Sequence, residues 1–303
     1  MAVGGVNTGD TSDPKPSQYL VTAPGPGGGP DIRVYDLTTG LLKFNINALD
    51  SAFRGGAFVA VGDVNGDGYD DIIVGAGAGG GPQVQVFSGQ NGQMLSNFYA
   101  YPSSFSGGLS VAAGELTVGG PVDVVTGAGP SGGPVVNEFN GTNGSSIGSF
   151  MALNPAFRGG ISIATVPDVS TVGLSDVVVG AGPGGGPQVQ VFSSGNLIRS
   201  FFAGNNPDLT SGVNVASYVT LPTDMDYMPL QPGQVSDSQI VVGTDGTVSN
   251  IDVVNLYDLS TTNIPTPVLT VLSGLTAGVY VGADNSNVIS APPPPISLSP
   301  GSM

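Results

Sequence analysis

Gly77-Ala-Gly-Gly-Gly-Pro82 is the stretch that decides the fold, because it returns as Gly25-Pro-Gly-Gly-Gly-Pro30, Gly129-Pro-Ser-Gly-Gly-Pro134 and Gly182-Pro-Gly-Gly-Gly-Pro187. The closing prolines stand 52, 52 and 53 residues apart. A second marker keeps the same interval: Phe53-Arg-Gly-Gly56, Phe105-Ser-Gly-Gly108, Phe157-Arg-Gly-Gly160 and a weaker Leu209-Thr-Ser-Gly212. Two markers in phase define an internal repeat, and a period of this length points to a propeller, a solenoid or an array.

Between the markers, residues 53–104 hold four strand-like pieces separated by turn signals. Ala57-Phe-Val-Ala-Val61 runs into an acidic loop, Ile72-Ile-Val74 into the Gly-rich turn, Gln83-Val-Gln-Val-Phe87 into Ser88-Gly-Gln-Asn-Gly92, and Met94-Leu-Ser-Asn-Phe-Tyr-Ala100 closes the unit. The second piece is apolar at consecutive positions, again as Val124-Val125 and Val177-Val-Val179, which predicts a strand covered on both faces. The third alternates, as does Gln188-Val-Gln-Val191, so that one face packs and the other meets a polar environment. Four antiparallel strands per unit make a propeller blade.

The two ends predict a shared blade. Tyr19-Leu-Val-Thr22 matches a second strand that lacks its first, and Leu275-Thr-Ala-Gly-Val-Tyr-Val-Gly-Ala-Asp284 resembles Phe53 to Asp63 and stops there. The expectation is an all-β, five-bladed propeller over residues 18–284, its ring closed by residues 275–284 pairing with residues 18–22, which leaves fewer unpaired strand edges. Residues 1–17 and the Pro-rich residues 285–303 are expected to be tails or linkers. The fifth unit departs most, with extra residues in Leu221 to Ser238.

Gly and Pro contribute 50 and 25 of the 303 residues, a level that would suggest low complexity if it were not in register with short Val, Ile and Phe runs. Net charge is −16, from 22 acids against six bases, so no basic surface exists to neutralise phosphates, and nucleic acid is excluded as a partner. Cations are the partners such a field favours. The absence of Cys removes disulfides and thiolate metal sites, and the absence of His removes the commonest general base and imidazole ligand. No apolar run reaches the roughly 20 residues that span a bilayer, so membrane insertion is not expected.

Asp63-Val-Asn-Gly-Asp-Gly-Tyr-Asp-Asp71 carries the chemistry. Oxygen ligands stand at its first, third and fifth positions (Asp63, Asn65, Asp67), Gly68 permits a sharp turn, Tyr69 offers a backbone carbonyl and Asp71 another carboxylate. Hard oxygen donors at alternate positions around a turn suit Ca²⁺, which takes about six to eight of them. Val74 stands where an EF-hand needs Glu, and the flanks alternate like strands, so a β-hairpin calcium loop fits better than a helix–loop–helix. The corresponding loops, Glu115 to Asp123 and Asp168 to Asp176, keep acids at both ends without the middle oxygens and read as turns.

These features together resemble the FG-GAP repeat, the unit that builds the β-propeller of integrin α subunits and of many bacterial surface proteins. The resemblance is carried by Phe53 to Gly56, Asp63 to Asp71 and Gly75-Ala-Gly77, and extends over residues 18–284. It implies calcium in the acidic loop and a role in adhesion or scaffolding. The chain departs from integrins in having about five units and a single complete loop.

The run Gly75 to Gly81 is not a phosphate cradle, because Pro82 and an alternating strand follow it instead of a helix. Arg54 and Arg158 share one repeat position, on the face opposite the acidic loop. They are candidate contacts for an acidic ligand, although bonds to nearby loop carbonyls would account for them as well. No carboxylate pair is marked out by spacing, so an enzyme is not expected. The reading is a calcium-binding adhesion or protein-interaction module, a monomeric domain of a larger secreted or cell-surface protein whose partner is a protein or matrix ligand. The alternative is a lectin-like propeller that binds carbohydrate, disfavoured by the absence of Trp.

Overall fold

The structure is a computed structural model that describes residues 2–5, 18–37, 39–167, 174–203, 210, 212–220, 237–244 and 251–255. Among these residues all regular structure is β. Each repeat folds into one antiparallel sheet whose strands lie in chain order. The first sheet holds β1 (Ala2–Gly5), β2 (Gln18–Thr22), β3 (Asp31–Asp36) and β4 (Leu42–Asn47). The second holds β5 (Ala57–Gly62), β6 (Asp71–Ala76), β7 (Gln83–Phe87) and β8 (Met94–Tyr99). The third holds β9 (Leu109–Gly114), β10 (Asp123–Ala128), β11 (Val135–Phe139) and β12 (Ser146–Met151). The fourth holds β13 (Ile161–Pro167), β14 (Ser175–Ala181), β15 (Gln188–Ser193) and β16 (Asn196–Phe202). A fifth sheet contains β17 (Val213–Thr220), β18 (Asp237–Thr244) and β19 (Ile251–Asn255) among the described residues.

The sheets stack face to face in sequence order, which explains the consecutive apolar residues of each second strand. In β6, Ile72 and Val74 pack with Val21, Ile32 and Val34 of the first sheet, whereas Ile73 faces the seam shared with Leu109 and Val124 of the third. In β10 and β14 the pattern repeats: Val125 joins Val177 and Val179 in one seam, and Val178 joins Val213 and Val215 in the next. Both faces of these strands are therefore dry, and each fully buried Val or Ile contributes about 1.5–3 kcal/mol. The first strands of successive sheets lie against one another, from β1 through β5, β9 and β13 to β17.

The polar face of the third strand meets peptide groups of the preceding sheet. Gln85 Oε1 accepts from Leu49 N at 2.8 Å, and Asn137 Nδ2 donates to the Ala100 carbonyl at 2.8 Å. The two repeat markers turn out to hold each other. Gly77 N donates to Gly56 O at 3.0 Å within the second unit, and Gly79 N donates to Ser106 O at 2.9 Å in the entry loop of the third. The same cross-unit bond recurs from Gly27 N to Arg54 O, from Ser131 N to Arg158 O and from Gly184 N to Thr210 O. Gly56 is required on two counts: its φ is +76°, and a Cβ would lie 2.6 Å from the Gly25 carbonyl carbon.

One expectation needs correction. The edge of β2 assigned to residues 275–284 is occupied by β1, with Ala2 opposite Val21 and Gly4 opposite Tyr19. Residues 2–5 thus belong to the first sheet instead of a tail, because a strand has two edges and those of β2 are filled by β1 and β3. Residues 168–173, 221–236 and 275–284, on which the degenerate loops and the ring closure were placed, lie outside the described residues, as do residues 6–17 and 285–303.

Candidate metal centre

The acidic loop connects β5 to β6 and is wound around Asp63. Asp63 Oδ1 accepts from Gly66 N at 2.7 Å and Asp67 N at 3.1 Å, and its Oδ2 accepts from Gly68 N at 2.9 Å. Asn65 Oδ1 accepts from Asp67 N at 2.8 Å while its Nδ2 donates to Asp67 Oδ2 at 3.0 Å, and Asp67 Oδ1 accepts from Tyr69 N at 2.9 Å. Short polar side chains that capture the backbone two to five positions ahead produce this tight coil. Gly66 and Gly68 supply its left-handed turns, with φ of +76° and +86°.

The loop is seated on the third sheet. Val122 N donates to Asp63 O at 3.0 Å, and Thr142 Oγ1 donates to Val64 O at 2.8 Å. Val64 is fully buried in the seam between the second and third sheets.

Asp71 stands apart from the other acids of the loop. It is completely buried; its Oδ2 accepts from Val64 N at 3.2 Å and its Oδ1 from Gly89 N at 3.1 Å, so one carboxylate ties the acidic loop to the turn between β7 and β8. Burial pushes its carboxyl up to about 7, and the charges of Asp67 and Asp63 add to that, against the two N–H donors. Asp123 repeats the arrangement in the third unit, accepting from Gly141 N at 3.4 Å, and burial raises its pKa as well. Asp176 is buried at the same position of the fourth unit. In these three units the buried acid is therefore part of the sheet whether or not the middle oxygens of the loop are present.

The donor set fits a hard cation in chemistry. Every side chain it presents is an oxygen donor, a carboxylate has about four acceptor sites, and Asp67 and Asp71 each spend two on hydrogen bonds. Among the described residues no three Asp or Glu side chains converge as a self-sufficient metal set. An ion here would also need Asn65, the Tyr69 carbonyl and water.

Arg54 and Arg158 lie on the Gly-rich face and are exposed. Arg54 Nη1 donates to Ser51 O at 2.8 Å and Phe53 O at 2.7 Å; Arg158 Nη1 donates to Pro155 O at 2.6 Å and Phe157 O at 2.7 Å. Each guanidinium braces its own entry loop. The loop partners Val122 and Thr142 have no signature of their own in the sequence, since they lie in a neighbouring unit, whereas Gly89 and Gly141 share one position of a turn that recurs as Ser88-Gly-Gln-Asn-Gly92 and Asn140-Gly-Thr-Asn-Gly144. The signal that identifies Asp71 as structural is its recurrence in loops without the middle oxygens.

Residues 55–93 match the family model of the FG-GAP repeat, which spans β5, the acidic loop, β6 and β7. No curated protein matches the chain. Among solved structures, the chain is similar to a protein of unknown function from Bacteroides caccae, with 14% identity and a TM-score of 0.48 over 87% of this chain and 77% of that one.

Proposed function

We propose that the chain is a non-catalytic, calcium-stabilised, five-bladed propeller that serves as an adhesion or protein-interaction module of a secreted or cell-surface protein. The observation that carries this reading is the acidic loop, an oxygen-only coil in an FG-GAP repeat, seated by Val122 and Thr142 on the neighbouring sheet. Ca²⁺ held by Asp63, Asn65, Asp67 and the Tyr69 carbonyl, with Asp71 beneath, offsets the charge of the loop's acids and so firms the coil that Val122 and Thr142 seat on the third unit. FG-GAP repeats typically belong to extracellular or surface domains, which is the compartment proposed here.

Partner recognition belongs to the opposite face. Arg54 and Arg158 supply two of the six positive charges there, each with donors left beyond the carbonyls it braces, and neither forms an ion pair among the described residues.

Calcium titration by calorimetry, with melting in calcium and in chelator, tests the proposal. A hundredfold excess of ligand over Kd stabilises by about 2.7 kcal/mol. Asp67→Ala is expected to abolish both the heat and the stabilisation, and a variant that responds like the parent refutes the loop as the site.

A further inference from the structure

We propose that the outer strands form a self-association surface whose occupant is a second copy of this chain, paired with it strand to strand. β4, β8, β12 and β16 each stand last in their sheet and leave one edge unpaired among the described residues. They contain no Asp or Glu at all, although the chain has 22. Tyr99, Met151 and Phe202 occupy one register position on three successive sheets, opposite Gln83, Val135 and Gln188, and are 59%, 54% and 50% exposed. Four residues earlier stand Leu95, Ile147 and Ile198, also exposed.

Open sheet edges are templates for pairing, and proteins blunt them with charge or proline. β4 has Lys43 and β16 has Arg199, but β8 and β12 have neither charge nor proline. The side-chain pattern selects a second copy as the occupant. A net charge of −16 opposes contact between copies, and the outer strands, without acids of their own, are where that opposition is least. The exposed pattern reads alike in both directions: apolar Leu95, polar Asn97, apolar Tyr99. An antiparallel two-fold pair centred on Asn97 sets Asn97 opposite Asn97 of the second copy and Tyr99 opposite its Leu95, an isologous contact of aliphatic and aromatic groups. Ile147, Ser149 and Met151 repeat the pattern on β12. In β4 the equivalent positions are Lys43, Asn45 and Asn47, with nothing apolar to offer. The inference departs from the monomer that the sequence suggests and does not rest on calcium.

The absence of Cys makes the test direct, because one introduced thiol can only link to its own copy. Residues directly opposite in an antiparallel pair fall within the span a disulfide bridges. Under mild oxidation the full-length Asn97→Cys variant is expected to form linked dimers about tenfold faster, or more, than Asn45→Cys, which reports random collision. Adding Leu95→Lys and Tyr99→Lys should return it to the Asn45→Cys rate with melting unchanged. Ser149→Cys repeats the experiment on β12, should the Asn97 variant fail to fold. Equal rates at the three positions, or rates indifferent to the lysines, overturn the proposal; so does a natively melting pair of Asn97→Cys and Ser149→Cys variants that stay unlinked, which leaves the wall to a foreign strand.

Discussion

At the scale of single residues, Asp67 and Asp71 stand four positions apart in one loop and do different work. Asp71 answers two backbone N–H groups from inside the protein, so Asp71→Ala leaves Val64 N and Gly89 N without their acceptor. The expected loss is on the order of 3 kcal/mol in chelator, read from urea unfolding, since a stranded buried donor costs about 1–3 kcal/mol. Asp67→Ala, on an exposed residue, should unfold like the parent in the same buffer. The sequence shows the loop and its oxygens but not this division, because the ninth position of a calcium loop and the pin of a hairpin call for the same carboxylate. Glu138 is a second instance of chemistry hidden until the sheets are stacked. It stands where the other units place Val34, Val86 and Val191, and Gly148 opposite gives its carboxylate room that a Cβ would fill. Burial, then the charge of Asp123, raises its pKa. The folded state therefore holds this proton more tightly than the unfolded chain. Its contribution to stability is full below the ordinary glutamate value, about 4.3, and is lost as pH rises through the raised one. Glu138→Gln should accordingly lose less stability than the parent as pH rises above the ordinary glutamate value, measured by melting.

At the scale of elements, the four-strand unit was legible because turn markers and apolar periodicity agree, and the both-faces-buried second strand follows directly from its consecutive Val and Ile. The first strand of the chain was not. Ala2-Val-Gly-Gly-Val-Asn7 matches Ala60-Val-Gly-Asp-Val-Asn65 in sequence at all but one position, and Ala2–Gly5 pairs in the same register, Val3 opposite Leu20 as Val61 is opposite Ile72. Gly5 replaces the acid that marks the motif, and no Phe-x-Gly-Gly precedes it, so the match is invisible without the pairing. Deleting residues 2–5 is expected to raise amide exchange at Leu20, whereas deleting residues 275–284 should leave exchange there unchanged. One glycine from each repeat marker permits a finer test. Gly27→Ala meets a positive φ with nothing within 4 Å, whereas Gly56→Ala meets a positive φ and the Gly25 backbone. Strain of this kind costs about 1–3 kcal/mol, and the larger drop in denaturation midpoint should fall to Gly56→Ala.

At the scale of the whole molecule, cohesion comes from dry seams of nearly identical make-up, and the opposing term is a charge of −16 held on few residues. Raising ionic strength from about 0.01 M to about 0.15 M shortens the screening length from about 30 Å to about 8 Å. The melting temperature should rise with it, each 1 kcal/mol of relieved repulsion appearing as roughly 2 °C; a flat salt response would place the acids too far apart to matter. The bond from each Gly-rich turn to the next entry loop has a further consequence. It joins main chain to main chain, Gly79 to Ser106 in one place and Gly184 to Thr210 in another, so the fastening is indifferent to which side chains flank it. The same fastening therefore serves at every junction, whichever two units meet there. A gene that duplicates or drops one whole unit keeps this bond at the new junction, and only the side-chain seams are left for later substitutions to refine.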